Sequence, residues 1–300
     1  MIQKLYVIVL SLCIFFFILN QGNHANDFVE KEQTYLGNSI ILDSSIRADA
    51  AILMDKANSE VLFAKNDRKK LYPASTTKIM TALLAIEYGN LDERMTVGSE
   101  VNLKEEGEST AWLREGQTLT LRELLAGLML PSGNDAARTI AINIARQHSA
   151  SSFVSEQSAI DYFTMLMNEK AKELGAMETN FMNPHGLHHP NHYSTAHDLA
   201  IIARTAMNNG QFENLVSQKK YSDPTLTYES TNKLIDPSSP FYYKGANGIK
   251  TGYTNEAGYC LVSSAKQNGR ELIAVILNST KESVWNDSIV LLNSGFDSTL

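Results

Sequence analysis

A serine and a lysine stand three residues apart in Tyr72-Pro73-Ala74-Ser75-Thr76-Thr77-Lys78, which runs straight into the apolar Ile79-Met80-Thr81-Ala82-Leu83-Leu84-Ala85-Ile86. A proline ahead of a serine, then good helix formers apolar on most sides, predicts a turn feeding a deeply buried helix with Ser75 at its mouth. Positions three apart share a helix face, so hydroxyl and amine come within hydrogen-bonding reach. Apolar burial disfavours an ammonium, and a second cation nearby disfavours it further, so Lys78 can be partly neutral near pH 7 and accept the serine proton. The same helix N-terminus aims backbone N–H groups at the oxyanion formed on a carbonyl that Ser75 attacks.

Spelling alone does not separate this pair from a capping serine beside a solvated lysine. Ser217-Gln218-Lys219-Lys220 and Ser263-Ser264-Ala265-Lys266 carry the same pattern. The first lies in a polar stretch and the second in a strand-like one, where positions three apart face opposite ways. Only Ser75 and Lys78 sit where a helix holds them together.

Ser132-Gly133-Asn134 is aimed differently, by rigid neighbours on both sides. Thr120-Leu121-Arg122-Glu123 is a capping box opening a helix through Leu130, Pro131 ends it, and Asp135 is placed to cap the next helix, Ala136 to Arg146. Five of the seven histidines fall between His185 and His197, which raises zinc. Pro190 between His188 and His192 prevents their presentation on one helical face, and no His-Glu-x-x-His occurs, so no metal or other cofactor is expected.

The flanking elements read clearly. Ala50 to Asp55, a polar turn, and Val61 to Lys65 predict a β-hairpin. Helices are expected to follow from Ile79 to a C-cap at Gly89-Asn90, from Ser155 to Leu174 before Gly175, and from a Thr195/Asp198 box to Ala206. A polar segment then runs to Ser239. Gly248 to Thr254, Gly258 to Ala265 and, after Asn268-Gly269, Leu272 to Leu277 predict three consecutive strands, with a last helix from Trp285 to Leu292. Strands at both ends with helices between suggest an antiparallel sheet whose first and last segments pair, covered by helices.

The chain has 300 residues, 43% hydrophobic and 20% charged, with net charge −7. That suits a globular domain able to bury a large core, and without a Lys/Arg block it argues against nucleic acid as partner. Lys4, an uncharged stretch from Leu5 to Leu19 and a polar tail resemble a secretory signal, with Ala25 as a cleavage point or the segment kept as an anchor. Cys13 follows Leu12, which speaks against lipoprotein processing, and Cys260 alone would remain, so no intrachain disulfide is expected.

Ser75-x-x-Lys78, Ser132-Gly133-Asn134 and Lys250-Thr251-Gly252 together resemble the known signature of serine β-lactamases and penicillin-binding proteins. Ser230-Thr231-Asn232 shows how weak the middle motif is alone. The chain further resembles the low-molecular-mass serine-type D-alanyl-D-alanine carboxypeptidases. The resemblance lies in Leu130 to Ala136, Asn183-Pro184-His185-Gly186-Leu187, His192 to Ala196 and Gly248 to Thr254, and spans about Ala50 to Phe296.

That resemblance implies an α+β, serine β-lactamase/transpeptidase-like fold, with a five-stranded antiparallel sheet flanked by helices and a mostly helical lobe, the site lying between them. Residues 1–25 are expected as signal peptide or anchor, 26–49 as linker and 50–300 as the catalytic domain, with no C-terminal β domain, although many relatives continue into one. By the same resemblance Ser75 attacks the carbonyl between two terminal D-alanines of a peptidoglycan stem peptide, with Lys78 as base and the Ser75 and Tyr253 backbone N–H groups as oxyanion hole. Ser132 would relay the proton and Asn134 hold the substrate amide or Lys78. Lys250 and Thr251 would take the terminal carboxylate, with Gly252 letting the strand approach. β-Lactams are the implied inhibitors, the cell envelope the implied location, and the N-terminal segment the implied route to a membrane. His188 stands where relatives often carry an acid, and their C-terminal arginine has no clear match around Thr280 to Trp285. The rivals are a β-lactamase, though no Glu-x-x-x-Asn precedes Lys250, a crosslink-cutting endopeptidase, an idle wall-peptide binder and a zinc peptidase.

Overall fold

A computed structural model describes residues 44–149 and 152–297. The elements begin with the hairpin β1 (Ala50–Asp55) and β2 (Val61–Lys65), then a 3₁₀ turn (Ala74–Thr77) leading into α1 (Lys78–Tyr88). There follow β3 (Arg94–Thr96), β4 (Thr118–Thr120), α2 (Leu121–Met129), α3 (Asn134–His148), α4 (Glu156–Glu173), α5 (Ala196–Met207) and α6 (Gly210–Val216). Last come β5 (Lys220–Ser222), β6 (Thr227–Glu229), β7 (Ala246–Thr254), β8 (Gly258–Gln267), β9 (Arg270–Ser279) and α7 (Ser283–Asp297). The compact unit begins at Ile46. Ile46 and Ala48 are buried, and the Ala48 N–H donates to Asp287 at 2.9 Å.

The main sheet has five antiparallel strands in the order β2-β1-β9-β8-β7, so first and last strands pair as the sequence suggested. Its central strands are apolar without alternation because both faces are covered. Ile52, Met54, Ile273, Val275 and Leu277 join the main core with α1 to α5. Leu53 and Leu272 point the other way, onto α7. A Cβ at Gly295 of α7 would lie 2.6 Å from a methyl of each, so this helix rests its backbone directly on the sheet.

α1 is the hub of the helical side. Lys78 through Ala85 are buried, and it touches α2, α3, α5 and α6. That is why it is apolar all round.

Local readings were overridden in four places. Ser75 sits on the 3₁₀ turn ahead of α1, and Lys78 is the first α-helical residue. At three residues per turn this geometry stacks positions three apart more directly than an α-helix does. Asp135 does not cap α3: Gly133 is the cap residue, and the Asp135 carboxylate accepts from the Ala111 and Leu113 N–H groups at 2.8 and 3.0 Å. Thr195 does cap α5, but Asp198 turns its carboxylate to the Glu178 N–H and Thr179 hydroxyl, both at 2.8 Å. Helix α6 and the β5–β6 ribbon occupy the stretch read as merely polar, since seven- and three-residue elements are too short to show a period. Among the described residues no helix is long and apolar enough to cross a membrane. The expected leader, its Ala25 cleavage point and Cys13 lie outside the described residues.

Candidate active site

The sequence-selected residues fall on one cleft. Ser75, Ser132, Asn134, Thr251, Gly252 and Tyr253 border a cavity of about 760 Å³, a size that suits a peptide-sized ligand. Lys78 and Lys250 lie behind its wall, 0% and 1% exposed.

Three segments pin the Ser75 turn. Ala74 takes a left-handed φ of 47°. From the loop side, a Cβ at Gly186, itself at φ 91°, would collide with the Ala74 carbonyl, so only glycine fits. From the sheet side, a Cβ at Gly252 would stand 3.1 Å from Ala74 Cβ, the Pro73 carbonyl and the Ser75 nitrogen. Strand β7 therefore passes as close to the Ser75 backbone as a strand can.

Lys78 Nζ has three hydrogen-bond partners: Ser75 Oγ at 3.0 Å, Asn134 Oδ1 at 2.6 Å and the His185 carbonyl at 2.7 Å. The two carbonyl oxygens can only accept, which fixes two N–H groups of the amine. The third position faces a hydroxyl, which can accept from an ammonium or donate its proton to a neutral amine. Burial first, then the charge of Lys250, push the Lys78 amine well below its ordinary value, and Arg138 adds to this while Glu108 and Asp135 act the other way. Burial alone pulls Lys250 down to about 7, and its Nζ donates to the Thr251 carbonyl at 3.1 Å.

The Ser132 turn is equally constrained. Ser132 has a left-handed φ of 68°. The Gly133 N–H donates to the Gly127 carbonyl and the Asn134 N–H to the Ser109 carbonyl, both at 2.9 Å. Asp135's grip on residues 111–113 draws that segment against the turn. On the opposite wall Thr251 Oγ1 meets Thr231 Oγ1 at 2.7 Å. Thr231 belongs to the Ser230-Thr231-Asn232 triplet that sequence reading set aside; its own N–H donates to the Leu130 carbonyl at 3.1 Å, joining this wall to the Ser132 turn.

Sequence reading missed Glu108 and Arg138. Arg138 Nη1 donates to Glu108 Oε1 at 2.8 Å, and Glu108 Oε2 lies 3.3 Å from the Asn134 side-chain nitrogen. They stand 30 residues apart in a polar stretch and a helix, so no local pattern announces them. The histidines have structural work. His185 offers its carbonyl to Lys78, and its ring, buried and facing the charges of Arg138 and Lys78, is held well below its usual pKa. His192 accepts the Met182 N–H through Nδ1 at 3.1 Å, which leaves Nε2–H to donate to Thr77 Oγ1 at 2.8 Å. His188 packs edge-on against Tyr72 with ring centroids 4.7 Å apart.

Comparison with known proteins bears on this geometry. The model of the D-alanyl-D-alanine carboxypeptidase family, peptidase S11, matches residues 38–281. The D-alanyl-D-alanine carboxypeptidase DacF of Bacillus subtilis is 35% identical over 243 residues, 78% of this chain and 58% of that protein. Among solved structures, a mutant of the Streptomyces K15 DD-transpeptidase superposes with a TM-score of 0.76 at 33% identity, covering 84% of this chain and 98% of that one. The Mycobacterium tuberculosis D-alanyl-D-alanine carboxypeptidase gives 0.73 at 30% identity, covering 84% and 92%. Against the first curated relatives the chain spans 58%, 62% and 59% of their length. With the α+β fold and the family model in agreement, this chain belongs to the D-alanyl-D-alanine carboxypeptidase family.

Proposed function

We propose that the protein is a serine-type D-alanyl-D-alanine carboxypeptidase, removing the terminal D-alanine from peptidoglycan stem pentapeptides through an acyl-enzyme on Ser75. The observation that carries this is the buried Lys78 amine, held between two fixed acceptors with its third direction on Ser75 Oγ at 3.0 Å. A neutral amine in that cradle has only its lone pair left for Ser75, so the hydroxyl proton passes to Lys78 as Oγ attacks the substrate carbonyl. The Ser75 and Tyr253 backbone N–H groups receive the oxyanion, on a strand that Gly252 lets approach. Ser132 returns the proton to the departing D-alanine amine, and water then hydrolyses the acyl-enzyme. Lys250 and Thr251 hold the substrate's terminal carboxylate; that anion replaces the solvation Lys250 lacks and favours its charged form.

A wall substrate places the enzyme outside the cytoplasm, consistent with residues 1–25 as a signal or anchor and residues 50–300 as the catalytic domain. β-Lactams act as inhibitors by acylating Ser75.

The test is incubation with a defined pentapeptide and, separately, with penicillin. Free D-alanine and a long-lived penicilloyl adduct on Ser75 are expected from the wild type and neither from Ser75→Ala. Rapid drug turnover would assign the site to a β-lactamase instead, and cleavage of crosslinked dimers without release from pentapeptide would assign it to an endopeptidase.

A further inference from the structure

Why Asn134 turns its oxygen toward Lys78 is not settled by the lysine itself. A carboxamide beside an amine can present either end. If Nδ2 faced Lys78, its N–H would need an acceptor, and the only one a neutral amine offers is the lone pair that must face Ser75. The base would then be occupied by its own neighbour.

We propose that the buried Glu108–Arg138 pair is the positioning unit of this proton-transfer centre, fixing which end of the Asn134 amide faces Lys78 and thereby keeping the lysine lone pair on Ser75. The inference rests on the reading of Ser75 and Lys78 as nucleophile and base. An ionised Glu108 accepts and cannot donate, so with Oε2 at 3.3 Å from Asn134 Nδ2 it takes the amide N–H and turns Oδ1 to Lys78 at 2.6 Å. Arg138, with its side chain 3% exposed, grips both carboxylate oxygens. Burial pushes the Glu108 carboxyl up, but the Arg138 hydrogen bonds and charge and the Asn134 amide outweigh it and hold it below the usual range. A neutral, protonated Glu108 would have a proton to donate, and the amide would then have no reason to keep its orientation.

Charge balance explains why the acid comes with an arginine. The charged groups acting on Lys78 are Lys250 from β7, Arg138 and Asp135 from α3, and Glu108 from the segment beside it, with His185 neutral. An isolated Glu108 would stabilise the ammonium and weaken the base. Paired with Arg138 it orients the amide while their opposite charges largely cancel at Lys78.

The test uses the full chain and measures the pH dependence of penicillin acylation at Ser75. Glu108→Gln leaves Arg138 unpaired, so acylation should fall roughly tenfold to a hundredfold, and the acidic limb of the profile should move to lower pH. Arg138→Gln leaves the carboxylate unpaired, and the limb should move to higher pH. Opposite shifts report the two charges at Lys78; the orientation of the amide is read from the acylation rate on the plateau, where Lys78 is already neutral. Since either single variant can fail to fold, the double variant Glu108→Leu/Arg138→Met decides: apolar replacement of both partners generally preserves stability, so it should melt near the wild type yet acylate roughly tenfold or more slowly. Acylation within twofold of wild type in that folded double variant, or single variants that shift the limb in the same direction, would overturn the proposal. Absence of any Ser75 adduct in the wild type would instead overturn the reading of nucleophile and base.

Discussion

Replacing Gly252 with alanine tests how closely the strand and the Ser75 turn are coupled. The added Cβ would stand 3.1 Å from Ala74 Cβ, the Pro73 carbonyl oxygen and the Ser75 nitrogen, two of the three being backbone atoms that cannot swing aside. Carbon contacts are comfortable from about 3.5 Å, so β7 or the turn must retreat by about 0.3–0.5 Å. Overpacking of this kind costs about 1–3 kcal/mol, and the stiffer unfolded chain returns about 0.4–1 kcal/mol. The net loss of about 1–2 kcal/mol is small beside a total stability of about 5–15 kcal/mol, so the protein stays folded and any loss of reactivity is local. Removing one oxyanion donor outright costs about 10²–10³ in rate; shifting Tyr253's and Ser75's N–H groups apart should cost about tenfold to a hundredfold. The assay is the penicillin acylation rate beside a thermal melt. Gly210→Ala is the control, since a Cβ there meets nothing within 4 Å. Gly252→Ala acylating within threefold of wild type, with the melt showing the expected loss, would refute the reasoning.

A bell-shaped pH dependence of kcat/KM is expected: activity is lost in acid as Lys78 gains a proton and in base as Lys250, at about 7 in the free protein, loses its own; a profile still flat two units above neutrality would contradict the second limb. His192 makes stability pH-dependent. Burial holds its folded pKa at about 3 while the unfolded residue titrates near 6.5, so the unfolded state binds more protons in between and stability falls by about 1.4 kcal/mol per unit as pH drops from about 6.5. In His192→Gln the loss between pH 7 and pH 4.5 should be smaller by roughly 2–3 kcal/mol; denaturant melts at both pH values measure this, and unchanged slopes would count against it. Asp135→Ser retains a cap-forming side chain but loses the grip on the Ala111 and Leu113 N–H groups. It should cost about 1–3 kcal/mol, whereas a residue acting only as a helix cap would tolerate the change with almost no loss of melting temperature.

What the sequence disclosed is what local chemistry decides. Apolar runs named β1, β8, β9 and α1, the Thr120/Glu123 box opened α2, and three short motifs supplied the selected cleft residues except Tyr253, which follows the last of them. What stayed hidden is set by partners far along the chain. Asp135 reads as a cap because it follows a turn, but two N–H groups 22 and 24 residues earlier take its carboxylate. The side chains of the histidine loop raise zinc and their spacing argues against it, yet the loop's contribution to Lys78 is a backbone carbonyl, which no residue type advertises. Ser230-Thr231-Asn232 carries a motif's spelling without its context, yet the Thr231 hydroxyl is hydrogen-bonded to that of Thr251 in the cleft wall.

With Lys78 as the proposed base, the choice of partners around it explains how a buried lysine could serve both halves of a catalytic cycle. Its hydrogen-bond partners are an amide oxygen, a peptide oxygen and a hydroxyl, all neutral dipoles. A carboxylate in direct contact would have held the ammonium permanently. Glu108 instead reaches Lys78 only through the Asn134 amide and is offset by Arg138, while Lys250 raises the energy of the charged form further. Neutral dipoles serve both protonation states: two acceptors satisfy the amine's N–H groups when it is a base, and the same two plus the alkoxide or ester oxygen of Ser75 satisfy three when it is an ammonium. The proton can therefore move to Lys78 and leave again without any side chain in the cradle having to turn, and preorganisation of that kind demands partners drawn from three separate segments rather than from one motif.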